Sequence, residues 1–300
     1  MKPIFYVYAF ALLFIISCDS NKKQETEQTQ EQQKTEQTQE QQETNANLND
    51  MSKCKFPWDF PANIKSSELT AGQAVLSIQN YYEDYIGEKP AENNYIFQNA
   101  ILSSIGNDYS HIKDPDGYTN YEYIIPNSLI IPIPEGQTAK KGDIVLTWSS
   151  YYGQMQRAIV INDENPSSPT VHFLDMVSDD KNIEETLTPN TFVVLNDTEW
   201  QPGIQIIDEN KNLYKIINVS NDKILAIDAI LANITVLDKN KCEIVPFDQN
   251  LEVGDEILTN YWGSLQSSTI KKIDKEIGTI EASDSYGSVK TYSILEVLKK

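Results

Sequence analysis

The sequence predicts an all-β protein, a row of small, strongly bent barrels following a disordered N-terminal tether. Three observations carry this. A glycine-led strand opening recurs as Gly72-Gln-Ala-Val-Leu76, Gly142-Asp-Ile-Val-Leu146, Gly203-Ile-Gln-Ile-Ile207 and Gly254-Asp-Glu-Ile-Leu258, at spacings of 70, 61 and 51 residues. Turn-forming clusters such as Asn162-Asp-Glu-Asn-Pro166 and Ser283-Asp-Ser-Tyr-Gly287 divide the intervening sequence into short β-rich runs, with no long amphipathic helix among them. Residues 19–50 are almost wholly Gln, Glu, Thr, Lys and Asn.

Taken in chain order, Lys2 and the apolar run Ile4 to Ile16 have the layout of a secretory signal peptide, too short to cross a bilayer as a helix. The string Ile15-Ile16-Ser17-Cys18 resembles the bacterial lipobox. That resemblance implies cleavage after residue 17 and diacylglycerol on the Cys18 thiol, an attachment that several acyl chains make effectively permanent. The alternative is an ordinary signal peptide or a short anchor.

Residues 18–50 read as a tether. They contain a repeated nonapeptide, Thr26 to Lys34 and again Thr35 to Glu43, and no apolar side chain occurs between Cys18 and Ala46. Nothing there offsets the entropy of ordering the backbone, and a coil of this length spans on the order of 30 Å. A helical stalk is the alternative.

The remaining sequence divides into units at 51–136, 137–198, 199–250 and 251–300. Each opening glycine suits a turn with positive φ, and the side chains beyond it in the second and fourth units alternate as in a half-buried strand. A second strand follows in each, at Ala100-Ile-Leu102, Ala158-Ile-Val-Ile161, Tyr214-Lys-Ile-Ile217 and Thr269-Ile-Lys-Lys-Ile273. Closing strands are expected at Pro126–Ile131, Pro189–Val194 and Tyr292–Leu298. Units this small bury little surface alone, so packing in a row is the natural remedy.

Gly142-Asp-Ile-Val-Leu-Thr-Trp148, then Arg157-Ala-Ile-Val160 and Val171-His-Phe-Leu-Asp175, resemble a Tudor or agenet-type SH3-like barrel, and Gly254 to Trp262 repeats the opening. Such domains hold methylated side chains in an aromatic cage. Carried over position by position, the cage is only partly filled. Trp148 and Phe173 match, Gln156 stands where an aromatic is often found, and Met176 falls at the fourth position. In the last unit Tyr261 or Trp262 and Tyr286 match, with Ser268 replacing an aromatic. Trp148, Tyr151, Tyr152, Phe173, Tyr261, Trp262 and Tyr286 therefore form a candidate binding surface, with packing between barrels as the competing role.

Composition narrows the function further. The net charge is −20, of which four lysines and eight acids in residues 1–50 leave −16 for residues 51–300, and Arg157 is the sole arginine. No basic cluster exists to replace phosphate counterions, which argues against nucleic acid. With Cys18 lipidated, Cys54 and Cys242 form an even pair in a disulfide-permissive compartment; a bridge and two free thiols are both open. His111 and His172 sit in strand-like runs, no Cys/His cluster has metal-ligand spacing, and neither cofactor nor metal is expected. The expectation is a non-enzymatic binding or scaffold lipoprotein of the bacterial cell envelope, facing the periplasm or the outside, with a protein or peptide partner. A peptidoglycan-binding module and a glycan- or peptide-processing enzyme on a β scaffold are the alternatives.

Overall fold

A computed structural model describes residues 56–78, 95–115, 122–150, 153–175, 184–228, 232–261 and 264–300. Cys18 and Cys54 lie outside them, as do Tyr151, Tyr152 and Trp262. The fold is all-β. Among the described residues twenty strands form four five-stranded antiparallel sheets within one compact unit, Met51–Lys300.

The first sheet contains β1 (Ala74–Ile78), β2 (Phe97–Ile105), β3 (Tyr109–Lys113), β4 (Glu122–Pro126) and β5 (Ile131–Pro132). The second contains β6 (Ile144–Trp148), β7 (Met155–Asn162), β8 (Thr170–Phe173), β9 (Glu184–Thr186) and β10 (Val193–Val194). The third contains β11 (Gln205–Asp208), β12 (Leu213–Val219), β13 (Lys223–Asp228), β14 (Ile234–Asp238) and β15 (Cys242–Ile244). The fourth contains β16 (Glu256–Tyr261), β17 (Ser264–Asp274), β18 (Thr279–Ser283), β19 (Val289–Ser293) and β20 (Val297–Lys299). In every sheet the first four strands follow one another as a meander, and the fifth returns to pair with the first. The sheets are open, with the fourth and fifth strands at the two edges.

One turn sets this geometry four times. Gly72, Gly142, Gly203 and Gly254 have φ of 87°, 92°, 91° and 98°. The residue after each donates its N–H to the carbonyl three positions back, closing a tight turn with glycine at the position that demands positive φ. Each glycine N–H then donates to the second strand, at the carbonyls of Leu102, Val160, Ile216 and Ile270. The ladder slips immediately after each of those four residues, between the second and third strands. A bulge bends its strand and increases the twist, so turn and bulge together bend each second strand at the same place.

The closing segments differ from the sequence expectation. Pro126–Ile131 is not one strand. Pro126 ends β4, Asn127–Leu129 is a 3-10 turn, and only Ile131 and Pro132 pair with β1. Buried Asn127 holds the turn, donating to the Gly106 and Asn107 carbonyls and accepting from Ser110 Oγ. Tyr292–Leu298 likewise spans the end of β19 and the start of β20. The third sheet closes with Cys242–Ile244, again after a 3-10 turn, Lys239–Lys241.

Each sheet contributes to its own core and to its neighbours. Val145, Ala158, Val171, Phe173 and Phe192 fill the second sheet, and Ile257, Ile270, Ile280 and Val297 the fourth. Leu213 and Val245 of the third sheet meet Leu298 of the fourth, with Ile207, Leu258 and Leu265 packed around them. The first sheet touches the second through a bridge between Gln98 and Gln154 and the Asn99 N–H donated to the Gly153 carbonyl. Asn218 of the third sheet donates to the carbonyls of Ile64 and Ser128. The segment entering the fold docks there too, with Trp58 Nε1 donating to the Ile234 carbonyl and Asp59 ion-paired with Lys223.

Candidate functional site

Where the second, third and fourth sheets meet there is a cavity of about 470 Å³, within the usual range for a ligand pocket, lined by Met155, Gln156, Arg157, Asp175, Gln205, Leu213, Lys215, Thr291, Tyr292, Leu295 and Glu296. Its base is ionic. The sole arginine of the chain, Arg157 on β7, is 4% exposed. Its Nε donates to Asp175 Oδ1 at 3.0 Å, its Nη2 to the same oxygen at 2.7 Å and its backbone N–H to Asp175 Oδ2 at 2.9 Å. Lys215 Nζ reaches Asp175 Oδ2 at 2.7 Å from the third sheet. Arg157 Nη1 donates to Gln205 Oε1 at 2.9 Å, and Gln205 stands directly opposite Lys215 in the ladder between β11 and β12.

The local backbone explains the placement. Leu174 donates its N–H to the Arg157 carbonyl, carrying the β7–β8 pairing one step beyond Phe173 and setting the Asp175 carboxylate against the guanidinium. Glu296 enters from the turn between β19 and β20. Its Oε2 accepts the Ser293 N–H, and Ser293 Oγ accepts the Leu295 N–H.

The electrostatics follow from burial and pairing. Burial alone would raise the Asp175 pKa, but the charges of Arg157 and then Lys215, with their hydrogen bonds, hold it well below the usual carboxylate range. Burial lowers the Lys215 pKa against the opposing pull of Asp175, and the Arg157 charge adds to the lowering. Burial raises Glu296, against the Ser293 hydrogen bond and with the help of the Asp175 charge. Gln156, the neighbour of Arg157 on β7, pairs with Thr147 and shares the strand face of Val145 and Ala158, turned toward the core of the second sheet, where its buried Oε1 has no hydrogen-bond partner among the described residues.

Of the aromatic residues expected at a surface, Trp148, Phe173, Tyr261 and Tyr286 lie among the described residues. Trp148 is half-buried at the end of β6, opposite Met155, which lines the cavity. Phe173 is 2% exposed and belongs to the core of the second sheet, so it offers no face to a ligand. The alternation that takes Val171 into that core takes Phe173 with it. Tyr286 is 91% exposed on a turn organised by Asp284, and Tyr261 ends β16. Cys242 is buried on β15 and forms no disulfide among the described residues. His172 is buried on β8, and His111 Nδ1 lies 3.6 Å from Glu122. Among the described residues no group of three or more His, Cys, Asp or Glu side chains is placed to hold a metal.

Sequence reading missed Asp175, Gln205, Lys215 and Glu296. The available signal was Arg157 itself, a lone arginine inside an apolar strand, which requires a buried partner.

No family model matches the chain. Over 157 residues it is 23% identical to the DNA-directed RNA polymerase subunit beta' of Francisella philomiragia, a match covering 48% of this chain and 11% of that protein.

Proposed function

We propose that the chain is a lipid-anchored, non-enzymatic binding or scaffold lipoprotein of the bacterial cell envelope, held to its membrane through Cys18, and that it receives a protein or peptide partner in the cleft between its second, third and fourth sheets. The observation that carries this is the cleft itself. It combines fixed charges of both signs with an apolar wall, a mixture suited to a polypeptide. The shared strand order, the bulged second strands and the short returning fifth strands support reading each sheet as an SH3/Tudor-like barrel. Transcription is not part of the proposal, because a net charge of −20 sets the chain against a polyanion.

Two measurements test it. Cys18→Ala moves the protein from the membrane fraction to the soluble fraction; continued membrane retention contradicts the anchor. A photo-crosslinking residue replacing Tyr292 captures a discrete partner in intact cells, and Lys215→Glu abolishes the adduct. The same probe replacing Val289, exposed on the same strand, captures none. Equal capture from both positions, or capture from neither, overturns the assignment of the cleft.

A further inference from the structure

We propose that His172 is an acid-sensitive latch between the second and fourth sheets: neutral, it lets them close on each other, and on taking up a proton it drives them apart. The fourth sheet supplies Thr291, Tyr292, Leu295 and Glu296 to the cleft, so acid unmakes the cleft whatever it binds.

The geometry puts the imidazole at that junction. His172 on β8 stands opposite Ile159 on β7 and Glu184 on β9, and alternation sets Leu174 on the same face. That face meets the fourth sheet. Ile159, with Ile144 opposite it on β6, lines a cavity of about 380 Å³ whose other wall includes Ile273 of β17 and Ile294. The turn after β17 comes so close that a Cβ on Gly278 would stand 2.9 Å from a Leu174 methyl and 3.4 Å from one of Ile294. His172 is 2% exposed, and its Nδ1 is buried with no hydrogen-bond partner among the described residues.

A neutral ring can leave Nδ1 without a proton, whereas in the imidazolium both nitrogens donate. A buried Nδ1–H would then meet no acceptor and no water. Burial lowers the His172 pKa, outweighing the charges of Glu184 and of Asp274 at the end of β17, which favour the cation. The other charges of the junction are paired or line its cavity. Arg157, on the same face of β7, is held by Asp175, Lys141 pairs with Glu276 at 3.6 Å, and Asp143 and Lys275 line the cavity. A histidine shifted this way contributes stability that is complete above its unfolded value of about 6.5 and is lost as pH falls. Glu296 acts in the opposite sense, so a comparison that leaves Glu296 in place isolates His172.

The test is amide hydrogen exchange of the full chain at Ile270 of β17, corrected for intrinsic rates. Between about pH 7.5 and about pH 5.5 the opening equilibrium of the wild type rises about fivefold relative to that of His172→Gln, which cannot charge. The same pH dependence in both proteins overturns the latch. A second readout does not depend on how that variant folds. The chain has two histidines, so His111→Gln leaves the His172 ring as the sole histidine signal in an NMR titration. Its midpoint lies below about 6.5 and moves further toward acid in Asp274→Asn, which removes the charge and keeps the oxygen that accepts the Glu276 N–H. A midpoint at or above that value, or one that Asp274→Asn leaves in place, overturns the proposal.

Discussion

The third sheet meets its two neighbours by opposite means. Against the second it places ions, Lys215 and Gln205 against Asp175 and Arg157. Against the fourth it places hydrocarbon, Leu213 and Val245 against Leu298. Hydrocarbon contact is roughly proportional to area and indifferent to small shifts, whereas a bidentate guanidinium on a carboxylate tolerates little displacement. The apolar junction is thus the source of adhesion and the ionic junction the source of register. Buried ions are weak evidence for stability, since desolvation offsets much of their attraction. Their position at the base of a cleft fits a role in holding that cleft open in one geometry.

The largest expected effect is loss of the shared carboxylate. Asp175→Asn leaves two buried cations without a counter-charge and destabilises the protein by about 3–5 kcal/mol in urea unfolding. Leu298→Ala, at the apolar junction, costs about 2–4 kcal/mol through lost burial and a residual cavity. An equal and small effect of both would remove the distinction between the junctions. Replacing Arg157, Asp175 and Lys215 together by Met, Leu and Met changes stability by less than about 1 kcal/mol or increases it, while peptide binding is lost.

Smaller effects refine the comparison. Gly142→Ala and Gly203→Ala both force an L side chain into positive φ, at about 1–2 kcal/mol. A Cβ at position 142 meets nothing within 4 Å, whereas at position 203 it meets Leu146 and Leu195 methyls at 3.1 and 3.2 Å. Gly203→Ala is therefore the more destabilising, by thermal or urea unfolding. The pH response separates the two acids of the cleft. Burial raises Glu296, so its contribution is complete below its unfolded pKa of roughly 4.3 and is lost as pH rises through the folded value. Asp175 is lowered, so its contribution is complete above roughly pH 3.9 and is lost as pH falls through the folded value. Glu296→Gln accordingly gains stability relative to the wild type as pH rises above roughly 4.3, whereas Asp175→Asn loses its disadvantage only in strong acid.

The repeats were visible in the sequence because they rest on local chemistry. A turn that demands positive φ requires glycine, and the strand after it must alternate, so Gly72, Gly142, Gly203 and Gly254 marked their own turns. The fifth strands were harder to read, because two or three residues following a 3-10 turn carry no period. Pro126–Ile131 looked continuous since the buried Asn127 that breaks it is satisfied by Gly106, Asn107 and Ser110, far from it in sequence. The cleft was hidden for a related reason. Asp175, Gln205, Lys215 and Glu296 come from three sheets, and each looks like an ordinary polar residue of a strand or turn. Phe173 misled because alternation fixes that it shares a face with Val171, without saying which face is the interior.

Native-state hydrogen exchange at the amides of Ile159, Ile216 and Ile270, one on each of β7, β12 and β17, tests most directly whether the three sheets stand as one body around the cleft. The account predicts a single common opening free energy for all three, lowered together by Asp175→Asn. Distinct opening energies, with Ile270 unmoved by that substitution, would contradict it.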